Sequence, residues 1–592
     1  MTVIPFAEWR PDMPDLSQWA REALNVVPAE ESYAPLNALN GVSSPLVARA
    51  QGAAWFRGTA GATMMFAGDV TKLYLLSGTT WNDVTRLASV PAQNAPSTST
   101  TGGTLAAATY FYVITALTAA GETTKSNEQS ITTAGATSSN TLTWAAVSGA
   151  TGYRLYRGTA TGAENVYYAV GAVTTFTDTG AAGTAGTPPV SNTAKIAYGL
   201  GGDGNWRFTQ FGTIALAVNG IDNPQKFDLS VGTNWTALLG TPPVATFVTT
   251  VRDFVLMGKL GTTPQRVQWS GLNNAELWGS IPANQADFQD LPDGGNVTGL
   301  VGGEYGLIFQ EAAVRRMTYE GAPIVFRIDK IANELGCSIP NSLAAVSDLA
   351  FFLHKSGFYM IQGGQTIAPI GRGKVDRFFW KEFDETNHFR SSAAIDPVRG
   401  LYVFAYPANG NNGTPNRLLI YNWRVQKWAH AQLTCEIVFG GVSQQGYTLD
   451  QLDPFGTIDT LPYSLDSSFW SGTVSLLLFA FDTNHKSGSF SGPSLAATVE
   501  TTEFNPGNGQ RSVVRGCRPL IDGGNPQILL GARETQQAMT AYGPPIGLTP
   551  AGMAPLYRSG RYFRVRATMQ SGDVWSNMQG IDDLDARPMG QQ

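Results

Sequence analysis

"GGEYGLIFQEAAVRRMTYEG", residues 302–321, is the stretch on which the fold turns. It sets Glu304 and Glu311, and an arginine pair, Arg315 and Arg316, around a short apolar run. That mixture suits either an acid/base site or one hairpin of a repeating structure. The order of residues favours the hairpin: an apolar strand over 305–309, a polar turn over 310–313 and a returning strand over 314–319. Side chains alternate along a strand, so Arg315 and Arg316 are expected on opposite faces and cannot form one clamp.

Working outward, the same grammar recurs. It is seen in "KLYLLSGTTWNDVT" (72–85), "GTIALAVNGIDNPQKFDLSVGTNWTAL" (212–238) and "DFVLMGKLGTTPQRVQWSGLNNAELW" (253–278). After the opening stretch it returns in "LAFFLHKSGFYMIQGGQTIAPIG" (349–371) and "GLYVFAYPANGNNGTPNRLLIYNWRVQKWAHA" (400–431). Successive first strands lie roughly 40 to 55 residues apart, the spacing of one four-stranded propeller blade. A lone hairpin cannot cover its own apolar faces, whereas hairpins stacked around an axis bury one another. A sandwich of hairpins is the competing architecture. About six units of like grammar favour a ring, and the expected fold class is all-β, a β-propeller-like repeat ring.

Between the first unit and the second, two low-complexity stretches, "PAQNAPSTSTTGG" and "GAAGTAGTPP", bracket a different module over 91–190. Its "GYRLYRG" and Trp144 resemble the early and middle strands of a fibronectin type III domain, and "YFYVITALTAAGE" resembles the last strand pair. The late strands come first in the chain, so the resemblance implies a permuted sandwich, or two partial copies. The first 57 residues are Pro-punctuated, with a short helix expected over "DLSQWAREALNVV", capped by Asp15. They read as a docking arm whose aromatic and arginine residues, Trp9, Arg10, Trp19 and Tyr33, are the types that anchor interfaces. The expected division is arm 1–57, first unit 58–90, insert 91–190, remaining units 191–494 and a C-terminal β-region 495–592. That last region still alternates like strands, in "RSVVRGCRPLI" and "GRYFRVRATM", and either closes the ring or builds a platform with the arm.

Composition narrows the function. The 592 residues are only 14% charged and include 66 glycines, a balance that suits short strands joined by positive-φ turns. A net charge of −6 gives no general pull toward nucleic acid. Cys337, Cys435 and Cys517 are far apart and make neither a zinc motif nor a disulfide framework. The start, "MTVIPFAEWRPDMPD", lacks the basic region and apolar core of a signal peptide, and the longest apolar run, "VSLLLFAF" (474–481), is too short to span a membrane. Folding as a soluble protein in a reducing cytosol is expected.

No catalytic constellation emerges. Asp287, Asp290 and Asp293 in "DFQDLPDGG" offer carboxylates for a glycosidase or a calcium site, but their spacing with Pro292 and Gly294 reads as successive Asx-type turns. His354, His388, His430 and His485 are scattered, with no H-E-x-x-H. "GRGK" (371–374) lacks the rest of a phosphate loop, "GSFSG" (488–492) has Phe490 where a nucleophile belongs, and "SGTTW" (77–81) lacks the aspartate of a sialidase box. No catalytic, cofactor or metal residue is assigned. A basic group remains: Arg315, Arg316, Arg372, Lys374, Arg377 and Lys381. It reads as a solvated or subunit-facing edge, or as a contact for an acidic partner or passing DNA.

The arm "FAEWRPDMPDL…NVVP…SYAPLNAL", the run "RVQWSGLNNAELW…ADFQDLPDGGNVTGLVGGEYGLIFQEAAVRRMTYEG", the stretch "SGFYMIQGGQTIAPIGRGKVDRFF" and the closing "GRYFRVRATM" resemble bacteriophage tail proteins. The family is that of the packaged-DNA stabilization, or tail nozzle, proteins of short-tailed phages. This resemblance implies a virion tail subunit, assembled in the host cytoplasm, that forms a homo-oligomeric, hexameric ring. It further implies contacts with a portal or adaptor and with tail fibre or spike proteins, and transient passage of double-stranded DNA. The alternative is a receptor-binding or glycan-degrading tail protein.

Overall fold

The computed structural model describes residues 3–15, 17–280, 282–442, 456–461 and 476–589. Seven four-stranded antiparallel units follow one another among these residues. Six are contiguous, at 53–83, 207–237, 245–290, 297–333, 344–369 and 392–431. The seventh joins Ile437–Val442, Leu476–Phe481 and Ser487–Ser489 to a strand from the chain's beginning, β5 (Asn40–Gly41).

First strands of neighbouring units pack on one another, including Ile437–Val442 on Ala53–Arg57, and the fourth and fifth units meet through Phe309 and Phe352, so the units close into a ring. Apolar clusters fill each gap between blades. Phe66, Phe227 and Trp235 join the first blade to the second, and Phe254, Ile308 and Phe326 join the third to the fourth. Met65, Trp81, Phe439 and Phe481 seal the last blade against the first. The sequence pattern missed the seventh blade because its outer strand is two residues borrowed from far away. No local periodicity can announce that.

The insert is a two-layer sandwich. Ser97–Ser99, Ser139–Thr143 and Thr175–Asp178 form one sheet; Gln129–Thr132, Thr109–Thr118, Gly152–Gly158 and Val166–Val170 form the body of the other. The pair Thr109–Thr118 and Gln129–Thr132, late in fibronectin order, comes early here, so the sandwich is fibronectin III-like and permuted. Trp144 lies edge-on to Tyr153 in its core, 5.3 Å between ring centroids.

The chain ends build the platform. From the arm, β1 (Ile4–Pro5) pairs with Met578–Pro588, β2 (Glu22–Leu24) pairs with Ala497–Glu500, and β3 (Val26–Pro28) pairs with β4 (Tyr33–Pro35), which reaches Met578–Pro588. On its other side β2 runs parallel to Lys427–Ala431, so one nine-stranded sheet continues from the sixth blade through the arm into the C-terminal region. The C-terminal region thus pairs with the arm, while β5 completes the ring. The helix expected over "DLSQWAREALNVV" is absent: the segment holds β2 and β3, with Asn25 between them at a φ of 58°. Two open sheet edges on either side of β2 supply backbone partners that outweigh a weak helical preference. Asp15, expected as its cap, instead pairs with Arg21 at 2.7 Å and Arg564 at 3.2 Å.

Candidate functional site

The opening stretch folds as the hairpin Gly306–Gln310 and Ala313–Gly321. Its arginines do face apart. Arg315 is buried, its Nε donating to Gln310 Oε1 at 2.8 Å while its guanidinium pairs with Asp293. Gln310 Nε2 donates in turn to the carbonyls of Leu291 and Gly295, at 2.8 and 2.7 Å. Arg316 lies over the Tyr305 ring at 4.5 Å. Arg315 is therefore a fastening between hairpin and preceding loop, with no surface to offer a partner. A buried guanidinium is kept only where it is paired and hydrogen-bonded.

The carboxylates are also engaged. Asp290 takes two bonds from Arg266, at 2.7 and 2.8 Å, and Asp293 binds Arg315 and Lys330. Bonding to Arg266 holds Asp290, and bonding to Lys330 holds Asp293, below the usual carboxylate range. Neither suits a general acid, which needs a raised pKa. Glu311 accepts from Asn296 at 2.9 Å, and exposed Glu304 faces Arg252 at 3.5 Å. Among the described residues, no three His, Cys, Asp or Glu side chains converge as a metal-binding group. Burial pushes the thiols of Cys337, Cys435 and Cys517 up to about 12.

The arm's aromatic residues are used inside the chain. Trp9 and Tyr33 are each 1% exposed; Trp9 stacks on His430 at 4.5 Å, and Tyr33 Oη donates to the Ala7 carbonyl at 2.8 Å. This corrects the expectation that they dock on another subunit, because no side-chain surface is left to do so. Arg10 and Trp19 remain half-buried, with the Arg10 guanidinium 3.5 Å from the Trp19 ring and bonded to Glu8. Glu8 also pairs with Lys374 at 2.7 Å. Asp12 accepts from the backbone N–H groups of Arg377 and Phe378, both at 2.9 Å, and so caps α1 (Asp376–Glu382) from a distance in sequence. Of the basic group, Arg372, Arg377 and Lys381 are exposed around α1, whereas Arg315 and Arg316 belong to the fourth blade.

The feature that sequence reading missed lies on the ring axis. Arg207 begins the innermost strand of the second blade, Arg207–Phe211, and lines two adjoining cavities of about 320 and 170 Å³. Phe247, 5.6 Å from the guanidinium, lies on one side and Asn341, which accepts from it, on the other. Burial pulls Arg207 down to about 10. In the sequence "NWRFTQF" the arginine looks like any polar residue beside a strand; only closure of the ring places it at the centre.

These features define an all-β propeller protein with an inserted sandwich and a platform woven from both chain ends. No protein-family model matches the chain, and no curated protein matches it. Among solved structures it shows similarity to the computationally designed Ika8 protein, at 7% identity and a TM-score of 0.28, over 77% of this chain and 98% of that one. Similarity to BamB from Moraxella catarrhalis is at 11% identity and a TM-score of 0.20, over 58% and 94%. An exo-beta-1,3-galactanase from Phanerochaete chrysosporium follows at 8% and 0.20, over 66% and 96%. Superpositions this loose carry no argument about fold or function.

Proposed function

We propose that this chain is a structural subunit of a phage tail, a nozzle component that retains packaged DNA and conducts it at ejection. The observation that carries the proposal is where the family-like stretches fall. The arm, the 356–379 stretch and "GRYFRVRATM" meet at the seam between ring and platform. There β2 lies between Lys427–Ala431 and Ala497–Glu500, Asp12 caps α1, and Tyr562–Met569 continues the sheet. A seam made of continuous strand pairing suits a wall that must not come apart under load. A low-charge, net acidic chain also suits a channel through which a duplex slides, since each stable phosphate contact would add affinity and slow transit.

The glycan reading has no specific observation in its favour. Trp235 and Trp428 are fully buried, and among the described residues no tryptophan is fully exposed to stack on a sugar. Native mass measurement of the purified protein, and of tails extracted from particles, tests the proposal. A ring of six 63.2 kDa chains, about 380 kDa, is expected. A strict monomer within intact tails overturns it, as does release of sugars from host surface polysaccharide.

A further inference from the structure

Arg207 is a half-buried cation with no carboxylate paired to it among the described residues. No Asp or Glu lines either axial cavity. The carboxylate of Glu436, on the seventh blade, is already engaged by the Ala50 N–H at 2.8 Å and by His485 at 2.6 Å. Cys337, whose thiolate would offset the charge, stays protonated because burial raises it. Taking a cation out of much of its water is costly unless it is paired, and the planar fork of a guanidinium matches the oxygens of a phosphate.

The surrounding donors make the same point independently. Ser391 is 2% exposed, lines the smaller cavity with Arg207, and its Oγ has no hydrogen-bond partner among the described residues. Buried hydroxyls rarely go unsatisfied. The side-chain amides of Asn205 and Asn341 each donate to the Phe389 carbonyl, at 3.1 and 2.6 Å. Among the described side chains that line this cavity, the buried polar atom left without a partner is the Ser391 hydroxyl oxygen, and the one charge is that of Arg207.

We propose that the propeller axis binds a phosphate-type oxyanion, held by the Arg207 guanidinium and the hydroxyl of Ser391. A tetrahedral oxyanion accepts from several directions at once, which matches a guanidinium fork on the second blade and a hydroxyl at the start of the sixth. The shared chemistry is a phosphate group, either as the free ion or at the end of a nucleotide. A cavity of about 170 Å³ has no room for a duplex, so this site is separate from the DNA path of the proposed function and does not depend on it.

The test is thermal unfolding of the full chain in chloride, in inorganic phosphate and in a nucleoside 5′-monophosphate, at matched ionic strength. A ligand that binds only the folded state raises Tm in proportion to its occupancy. Phosphate should raise Tm above chloride, R207M should abolish the difference, and S391A should weaken apparent affinity about tenfold, as loss of one charge-assisted bond does. Response to both ligands means that the phosphate group itself is recognised; response to inorganic phosphate alone means the free ion; either supports the proposal if R207M removes it. Equal Tm in chloride and phosphate, or a phosphate response that survives in R207M, overturns it. Should R207M fail to fold, equilibrium dialysis of the wild-type chain against radiolabelled phosphate decides. Near-stoichiometric retention supports the site and clearly substoichiometric retention at millimolar phosphate overturns it.

Discussion

Asp376, in the first turn of α1, shows how one residue depends on its neighbours. Burial, together with the nearby charge of Asp12, raises its pKa to about 6, although the Phe358 N–H donates to it at 3.1 Å. Two glycines make room for the carboxylate: a Cβ at Gly357 would stand 2.1 Å from one oxygen, and a Cβ at Gly371 would stand 1.9 Å from the other. Gly357 also has a φ of 131°, which side-chain-bearing residues rarely adopt. Because the folded chain holds this proton more tightly than the unfolded one, the stabilisation is complete below about pH 4, the ordinary aspartate value. It is lost as pH rises through about 6. Asp376→Asn mimics the protonated form and keeps an acceptor for Phe358. It should match wild type near pH 4 and exceed it at pH 7.5 by on the order of 1–2 kcal/mol, allowing for partial exposure. Thermal melts at the two pH values measure this, and a difference independent of pH would refute the assignment.

At the scale of elements, β5 is the least obvious and the most consequential. Two residues, Asn40 and Gly41, complete the seventh blade by pairing with Ser489 and Gly488. The lock is reinforced where the Trp81 indole N–H faces Ser43 Oγ at 3.1 Å and Ser487 Oγ at 3.2 Å, tying first blade, arm and seventh blade together. Gly488 is required because a Cβ there would sit 1.7 Å from the Asn40 carbonyl oxygen. Gly488→Ala should therefore push β5 off the blade and cost about 1–3 kcal/mol, the usual penalty for overpacking. Gly440→Ala, in the same blade, meets its nearest neighbour at an ordinary 3.8 Å and serves as the control. Limited proteolysis around residue 40 alongside Tm separates the two; equal behaviour would mean that β5 does not close the ring.

For the whole molecule, the insert is attached at a single narrow neck. The chain leaves and returns side by side: the Ala88 N–H donates to the Ala194 carbonyl at 2.7 Å, and Leu87 bridges Lys195. The sandwich has its own core around Leu142, Trp144 and Leu155. Replacing residues 91–190 with a short Gly-Ser linker should leave ring and platform folded, with Tm changed by no more than a few degrees. Calorimetry of the two forms checks this, and collapse of the shortened chain would show that the insert supports the ring.

Much of this architecture can be read from the sequence because it is local. The alternation in "YGLIFQEAAVRRMTYEG" sets a hairpin and puts Arg315 and Arg316 on opposite faces, and six such hairpins recur in order. The out-of-order fibronectin-like strands of the insert are legible for the same reason. Tertiary structure alone decided what depends on distant partners. Local propensity suggests a helix over 15–27, yet β2 is a strand because two sheet edges flank it. Trp9 and Tyr33 have the composition of interface anchors, and only the fold shows them buried in this chain's own core. Arg207 becomes a candidate anion site only when seven blades close and leave it beside cavities with no carboxylate in their lining. Period and alternation are properties of neighbouring residues; burial, charge isolation and strand closure belong to residues that meet only after folding.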